Sequence, residues 1–291
     1  MKRRSRRNPL FPLHYRNKLK KLNSNLDFQL GPSIGFSQAY PILFMVDQPL
    51  GIYWGAETDG VYSSWEEANA SGIAGAAPGE IRYINHHVDL DDSGQPLEIQ
   101  EINFDDYVKI GDPNPDFTYS ISNNFSYKNW DANILFTGQK GGDLFWVDSW
   151  QLSGLQKTTN ILSSSYANSW IAPLYYENGN YIYDESIGNL NSVNHPGAMI
   201  ETGSRAISSD RNIFDGSFIR LKNINIGYNF DLKDGKNMRV YLAGQNLVVW
   251  TDYPGYDPEV RTYTKNPQKR GVDFGTYPGT RSLLLGLKFN Y

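Results

Sequence analysis

The sequence has no cysteine. That absence excludes disulfides, thiolate chemistry and cysteine-held metals, and it suits an envelope protein. Long apolar runs are missing too. No stretch approaches the roughly eighteen residues of a helical membrane span, and the mean hydropathy is −0.52. Histidine is scarce: His14, His86, His87 and His195 are the full set, and no triad at metal-ligand spacing follows from them. No nucleophile motif occurs. Acid pairs such as Asp105-Asp106 are ordinary in loops, and a glycosidase pair cannot be read from spacing. Catalysis is therefore not expected.

What is present is a β composition. The 291 residues include 20 Tyr and 27 Gly, and aromatics reach 14%. Such usage suits strands joined by large loops. Charge is uneven. Residues 1–25 hold nine Lys or Arg and no acid, which leaves 18 basic against 31 acidic residues in the rest. The basic arm lacks the apolar core of a secretory signal, and no basic, aromatic-interleaved domain follows that would bind nucleic acid. It reads as a solvated tail outside the fold, with residues 26–291 as the folded segment.

The clearest pattern lies at the end of the chain. Ile224, Ile226, Tyr228 and Phe230 alternate with Asn225, Gly227, Asn229 and Asp231. Asp234-Gly235 marks a tight turn. Met238, Val240 and Leu242 then alternate with Arg239 and Tyr241, and Leu283, Leu285, Leu287, Phe289 and Tyr291 close the sequence. Side chains alternate across a strand, so each segment has one apolar and one polar face. A soluble sandwich also alternates. Strands of about ten residues with connections alternately short and long point instead to a membrane barrel.

Upstream, residues 49–58 read as a further spanning strand, with Ile52, Trp54 and Ala56 on one parity. Ser63–Ala70 offers a capped short helix, and Glu80–Asn85 a short strand outside the membrane. Asp89, Asp91 and Ser93, with Gly94 next, have the spacing of a calcium loop, but position twelve is Gln100 in place of Glu. A calcium site and an acidic solvated turn both fit. No other cofactor is expected. Phe117, Tyr119, Ile121, Phe125 and Tyr127 alternate with Ser120, Ser122, Asn124 and Ser126; Lys128-Asn129 turns the chain; Ala132, Ile134, Phe136 and Gly138 resume the alternation. From 140 to 215 no strand of membrane length appears. Trp146, Trp150, Trp170, Tyr175 and Tyr176 lie in this stretch, as a ligand-stacking surface or as self-packing, girdle or lid contacts.

With both short turns on one side, the segments 140–216 and 251–280 fall together on the other, and the final strand ends beside the turns. About six spanning strands result: 49–58, 117–127, 130–139, 217–231, 237–250 and 281–291. Six are too few to close a barrel of roughly eight or more strands, and an open sheet leaves unpaired backbone in lipid. The count predicts the C-terminal part of a larger barrel.

Several motifs carry a family resemblance: Ser217-Phe218-Ile219-Arg220-Leu221-Lys222-Asn223, Gly227-Tyr228, Arg239-Val240-Tyr241, Gly244-Gln245-Asn246-Leu247 and Tyr253-Pro254-Gly255-Tyr256-Asp257-Pro258-Glu259-Val260. Upstream, Gln48–Gly51, Thr58–Val61, Pro78–Ile81 and Gly111–Phe117 add to them. Over residues 40–291 the chain resembles the C-terminal part of a SusC/RagA-type TonB-linked outer-membrane receptor of Bacteroidota. The resemblance implies an all-β fold of antiparallel strands within a barrel of about 22 strands. It also implies oligosaccharide or peptide uptake, a SusD-like lipoprotein lid, and TonB contact through an N-terminal part that this chain lacks. The acidic loop at Asp89 matches a family segment that is usually closer to a calcium loop. Passive porin and soluble glycan-binding readings stand beside the receptor. Tyr256, Asp257, Pro258 and Glu259 read as a rigid rim turn, and Gln245 and Asn246 as partners for backbone groups at a strand end.

Overall fold

A computed structural model describes residues 10–14, 16–23, 26–34, 40–153, 160–184, 186–188, 207–260, 262–263 and 265–290. In chain order the strands are β1 (Leu10–His14), β2 (Phe28–Leu30), β3 (Ile42–Met45), β4 (Ile52–Gly55), β5 (Thr58–Val61) and β6 (Ile81–Tyr83). There follow β7 (Val108–Gly111), β8 (Pro115–Tyr127), β9 (Trp130–Gly141), β10 (Asp143–Trp146), β11 (Leu174–Glu177) and β12 (Asn180–Tyr183). The last are β13 (Ile213–Asp215), β14 (Phe218–Asp231), β15 (Asn237–Trp250), β16 (Val272–Asp273) and β17 (Ser282–Asn290). Short helices α1 (Trp65–Ala70), α2 (Ser149–Leu152) and α3 (Ser163–Asn168) sit in the connections. No helix among the described residues is long and apolar enough to cross a membrane.

One antiparallel sheet, ordered β1-β8-β9-β14-β15-β17, forms a wall. Its register aligns side chains in rows across five strands. Phe125, Ala132, Ile226, Leu242 and Leu285 make one row. The adjacent row, on the opposite face, is Asn124, Asn133, Asn225, Ala243 and Leu284. The period of two therefore holds across these rows, up to a register shift between Leu221 and Asn223, with one face apolar and the other mainly polar. Among the described residues no protein core covers the apolar face. Ile226 is 39%, Phe230 40%, Leu285 73% and Phe289 58% exposed. An apolar surface this broad is foreign to soluble monomers.

Aromatic side chains cluster at both ends of that face. Tyr127, Trp130, Tyr228 and Phe230 lie at one end, with Trp130 and Tyr228 edge to face at 4.9 Å and Tyr228 and Phe230 at 4.7 Å. Phe117, Tyr119 and Trp250 lie at the other. About ten residues at ~3.4 Å each, tilted by about 45°, separate the two belts by roughly 25 Å, the height of a lipid-facing band.

The turns sort as the alternation requires. Lys128-Asn129 joins β8 to β9, with Lys128 in the left-handed region (φ 51°). A 3₁₀ turn over Lys233–Gly235 joins β14 to β15. The Asn229 amide donates to the Asn129 carbonyl at 2.8 Å, so strand end and turn adjoin, and Asn290 pairs with Asn237 at the same end.

The remaining elements form an outer body at the opposite end of the wall. It contains a four-stranded sheet, β2-β3-β4-β7, and a three-stranded one, β13-β10-β16. Their shared core holds Ile34, Ile42, Phe44, Tyr53, Phe145, Val147, Trp150 and Val272. Two expectations need correction here. Residues 49–58 do not span the wall. They contribute the four-residue β4, in which both Ile52 and Tyr53 are fully buried. Packing on both faces imitates alternation on one when Trp54 and Ala56 are read alone. Among the described residues of 140–215 there is no long strand, and part of the region is a packed core around Phe145.

The basic tail also meets the fold. Leu10–His14 pairs with Phe117–Ile121 as β1. Leu19 and Leu22 pack on the outer core, and Lys18 bridges Asp47 at 2.9 Å. Composition alone marks residues 1–25 as solvated. It is blind to the unpaired edge of β8, which recruits a strand through backbone groups.

Candidate functional site

The motifs at 217–223 and 253–260 converge on one site at the rim, where β14 begins. Arg220 points from β14 to the loop after β15 and is only 3% exposed. Its Nη2 lies 2.5 Å from Asp257 Oδ1, and its Nε lies 2.9 Å from Glu259 Oε2. Lys222 Nζ reaches Glu259 Oε2 at 3.1 Å. Asp257 also accepts the amides of Glu259 at 2.9 Å and Gly279 at 3.1 Å. One buried carboxylate thus ties both ends of the 251–280 loop to the wall. Pro258 is buried beside it, whereas Tyr256 is 76% exposed.

A second tie lies deeper in the same loop. Tyr253 donates its hydroxyl to Asp273 at 2.5 Å. Burial and this carboxylate push the Tyr253 hydroxyl far above its ordinary range. Tyr253 packs with Leu144 and Trp146, so the loop is anchored to β10. Burial also raises the Asp148 carboxyl, although the Gly275 amide bonds to it at 2.8 Å. Asn246, at φ 50°, donates its side-chain amide to the Thr280 carbonyl at 3.2 Å. Gln245 pairs in register with Ser282. Leu247 folds over Gly244, where a Cβ would collide with it, and Leu221 stays on the apolar face opposite Val248.

The polar face carries a ladder that alternation alone does not reveal. Arg239 reaches across β14 to Asp131 on β9, with Nε–Oδ1 at 3.0 Å and Nη2–Oδ2 at 2.5 Å. Gly227 lies beneath the guanidinium, and any side chain there would collide with it. Gly286 leaves the same room for the Tyr241 ring. Asp131 shares its row with Gly227 and Tyr241, and Arg239 lies one same-face row away opposite Asn229, so the pair runs diagonally over the glycine.

The acidic loop is closed by its own hydrogen bonds. Asp91 Oδ1 accepts the amides of Ser93 at 2.8 Å and Gln95 at 2.9 Å. Asp89 Oδ2 accepts the Glu101 amide at 2.9 Å. Asp89, Asp91 and Ser93 share one loop, yet no three His, Asp or Glu side chains converge on a cation position among the described residues. These Asp89 and Asp91 oxygens are engaged by backbone amides of their own loop. Beneath the loop, the fully buried Asp106 accepts the amides of His86, His87 and Asn103 at 3.0, 2.9 and 2.9 Å. Asp106→Ala takes the shared acceptor from three part-buried amides and is expected to cost about 1–3 kcal/mol locally. Faster hydrogen exchange at the His86, His87 and Asn103 amides is the measurement that checks this.

No family model matches the chain. TonB-dependent receptor P3 of Formosa agariphila is 33% identical over 288 residues, covering 95% of this chain and 26% of that protein. Over most of its length the chain is homologous to TonB-dependent receptors. Receptor P26 of the same organism is 26% identical over 85% of this chain, and SusC of Bacteroides thetaiotaomicron is 31% identical over 38%. The chain spans about a quarter of the length of P3 and P26. Among solved structures, the RagAB peptide transporter superposes with a TM-score of 0.64 at 16% identity, covering 95% of this chain and 26% of that one. A closed-closed RagAB peptide importer gives 0.61. At such identity the likeness concerns the fold. The relatives are named as receptors and transporters, not as enzymes.

In this receptor segment the five loop aromatics divide. Trp146, Trp150 and Trp170 are 9%, 6% and 9% exposed. Trp146 packs edge to face on Tyr253 and Phe214, and Trp150 on Phe145. These contacts correspond to self-packing; the indole faces of Trp146 and Trp150 are occupied. Tyr175 and Tyr176 lie instead on the exposed β11–β12 hairpin, where Tyr176 meets Tyr181 at 5.0 Å. His195 lies outside the described residues.

Proposed function

We propose that this chain forms part of the wall and outer rim of a TonB-dependent outer-membrane receptor that imports an oligosaccharide or a peptide. The observation that carries the reading is the two-faced wall: an apolar face of membrane height against lipid and an Asn-, Ser- and Gly-rich face toward the lumen. The outer body then lies on the extracellular side and the short turns on the periplasmic side. A SusD-like lipoprotein closes over the outer mouth, and the TonB system acts through a part of the receptor other than this chain. The exposed Tyr175 and Tyr176 are the loop aromatics placed to meet substrate or lid. Rim residues Arg220, Asp257 and Glu259 shape the mouth without touching cargo.

These 291 residues contain no cysteine to compete with an introduced one, which permits a direct test in the full receptor with any cysteine outside this segment replaced. A fluorophore on Leu285→Cys is expected to be quenched by brominated acyl chains. The same fluorophore on Asn225→Cys, one row away on the other face, is expected to be insensitive to them. Equal quenching at both positions, or at neither, rejects the membrane-wall reading.

A further inference from the structure

We infer that the side-chain amide of Gln100 occupies the role of a cation in the acidic loop, so that the outer surface at 89–101 stays folded without metal. A calcium loop gathers oxygens around an ion, and its twelfth position supplies a bidentate carboxylate. Here that position supplies an amide, which both accepts and donates. Gln100 Oε1 accepts the Asp89 amide at 2.6 Å. Its Nε2 donates to the Leu97 carbonyl at 2.6 Å and to the Asp89 carbonyl at 3.3 Å. The first and ninth positions are thereby joined through one neutral group.

The other candidate ligands are turned to the same end. The Gln95 carbonyl at position seven, a ligand in calcium loops, accepts the Asp91 amide at 2.7 Å. Both Asp89 oxygens are engaged, one by the Glu101 amide and one by the Asn103 side-chain amide at 3.3 Å. Leu97 donates back to the Asp89 carbonyl at 2.9 Å. Gly94, at φ 76°, makes the tight bend that a calcium loop needs at its sixth position. The bend thus persists while the oxygens serve the chain.

Hydrogen exchange of the amides from 89 to 103, on the purified receptor in detergent, tests the inference. Wild type should exchange at the same rate in EGTA and in millimolar calcium. Gln100→Ala should speed exchange at Asp89 at least tenfold in both buffers. Gln100→Glu, which keeps the acceptors but loses both donations, should be loose in EGTA and recover protection when calcium is added. Calcium-dependent protection of the wild type, undisturbed exchange in Gln100→Ala, or a Gln100→Glu loop that calcium leaves loose would each overturn it.

Discussion

Arg220→Ala is expected to destabilise the rim by about 3–5 kcal/mol, the cost of breaking a buried pair and leaving charge behind. Asp257 is 6% exposed and Glu259 is partly buried, and both lose their principal cation with this change. The effect should be local in origin, because Asp257 also holds the amides that position Glu259 and Gly279. Trypsin cleavage at Lys265 and Lys269 is expected to rise steeply while the strands of the wall remain paired. Lys222→Ala is the control. Its contact with Glu259 is partly solvated, so a loss under roughly 1 kcal/mol is expected. If the two variants behave alike, the clasp does not hold the loop.

The second large effect separates two neighbours in one strand. Leu242 sits between Ile226 and Leu285 on the apolar face, and Ala243 sits between Asn225 and Leu284 on the polar face. Leu242→Arg is expected to cost about 2–4 kcal/mol in a bilayer, where no water solvates the guanidinium. Ala243→Arg faces solvent and should fall within about 0.5 kcal/mol of wild type. Unfolding in lipid vesicles measures both. The same pair in a soluble sheet would show a small difference, since Leu242 is 52% exposed to whatever surrounds the protein.

How far the sequence foretold this depends on which force shaped each part. The long strands were legible because lipid imposes a period of two that survives without tertiary information: the faces assigned to Ile224–Phe230 and Met238–Leu242 are those in the register. The outer body was not. Its strands are four residues or fewer, and β3, β4 and β10 are buried on both faces, so β4 imitates alternation and β10 hides inside an aromatic-rich loop. Trp146 and Trp150 show the same limit, since composition cannot tell an indole that stacks on a sugar from one that stacks on Tyr253 or Phe145. The motif residues Arg220 and Asp257 were visible as a pattern. Their contact joins positions 37 residues apart, a pairing that no local spacing encodes.

The wall also lengthens from strand to strand at its outer end. Between Leu221 and Asn223 the partner β9 advances one residue, from Phe136 to Leu135, while β15 advances three, from Gln245 to Val248. One surplus residue therefore enters β14 and two enter β15. An odd surplus reverses the odd–even code, so apolar positions are 219 and 221 before Lys222 but 224 and 226 after it. An even surplus restores it, and β15 keeps its even positions outward throughout. Removing Lys222 alone would close the bulge against β9 with Leu221 still opposite Phe136 and Asn223 still opposite Leu135, so Ile219, Leu221 and Arg220 would keep their faces and the clasp would lose only the lysine that reaches Glu259.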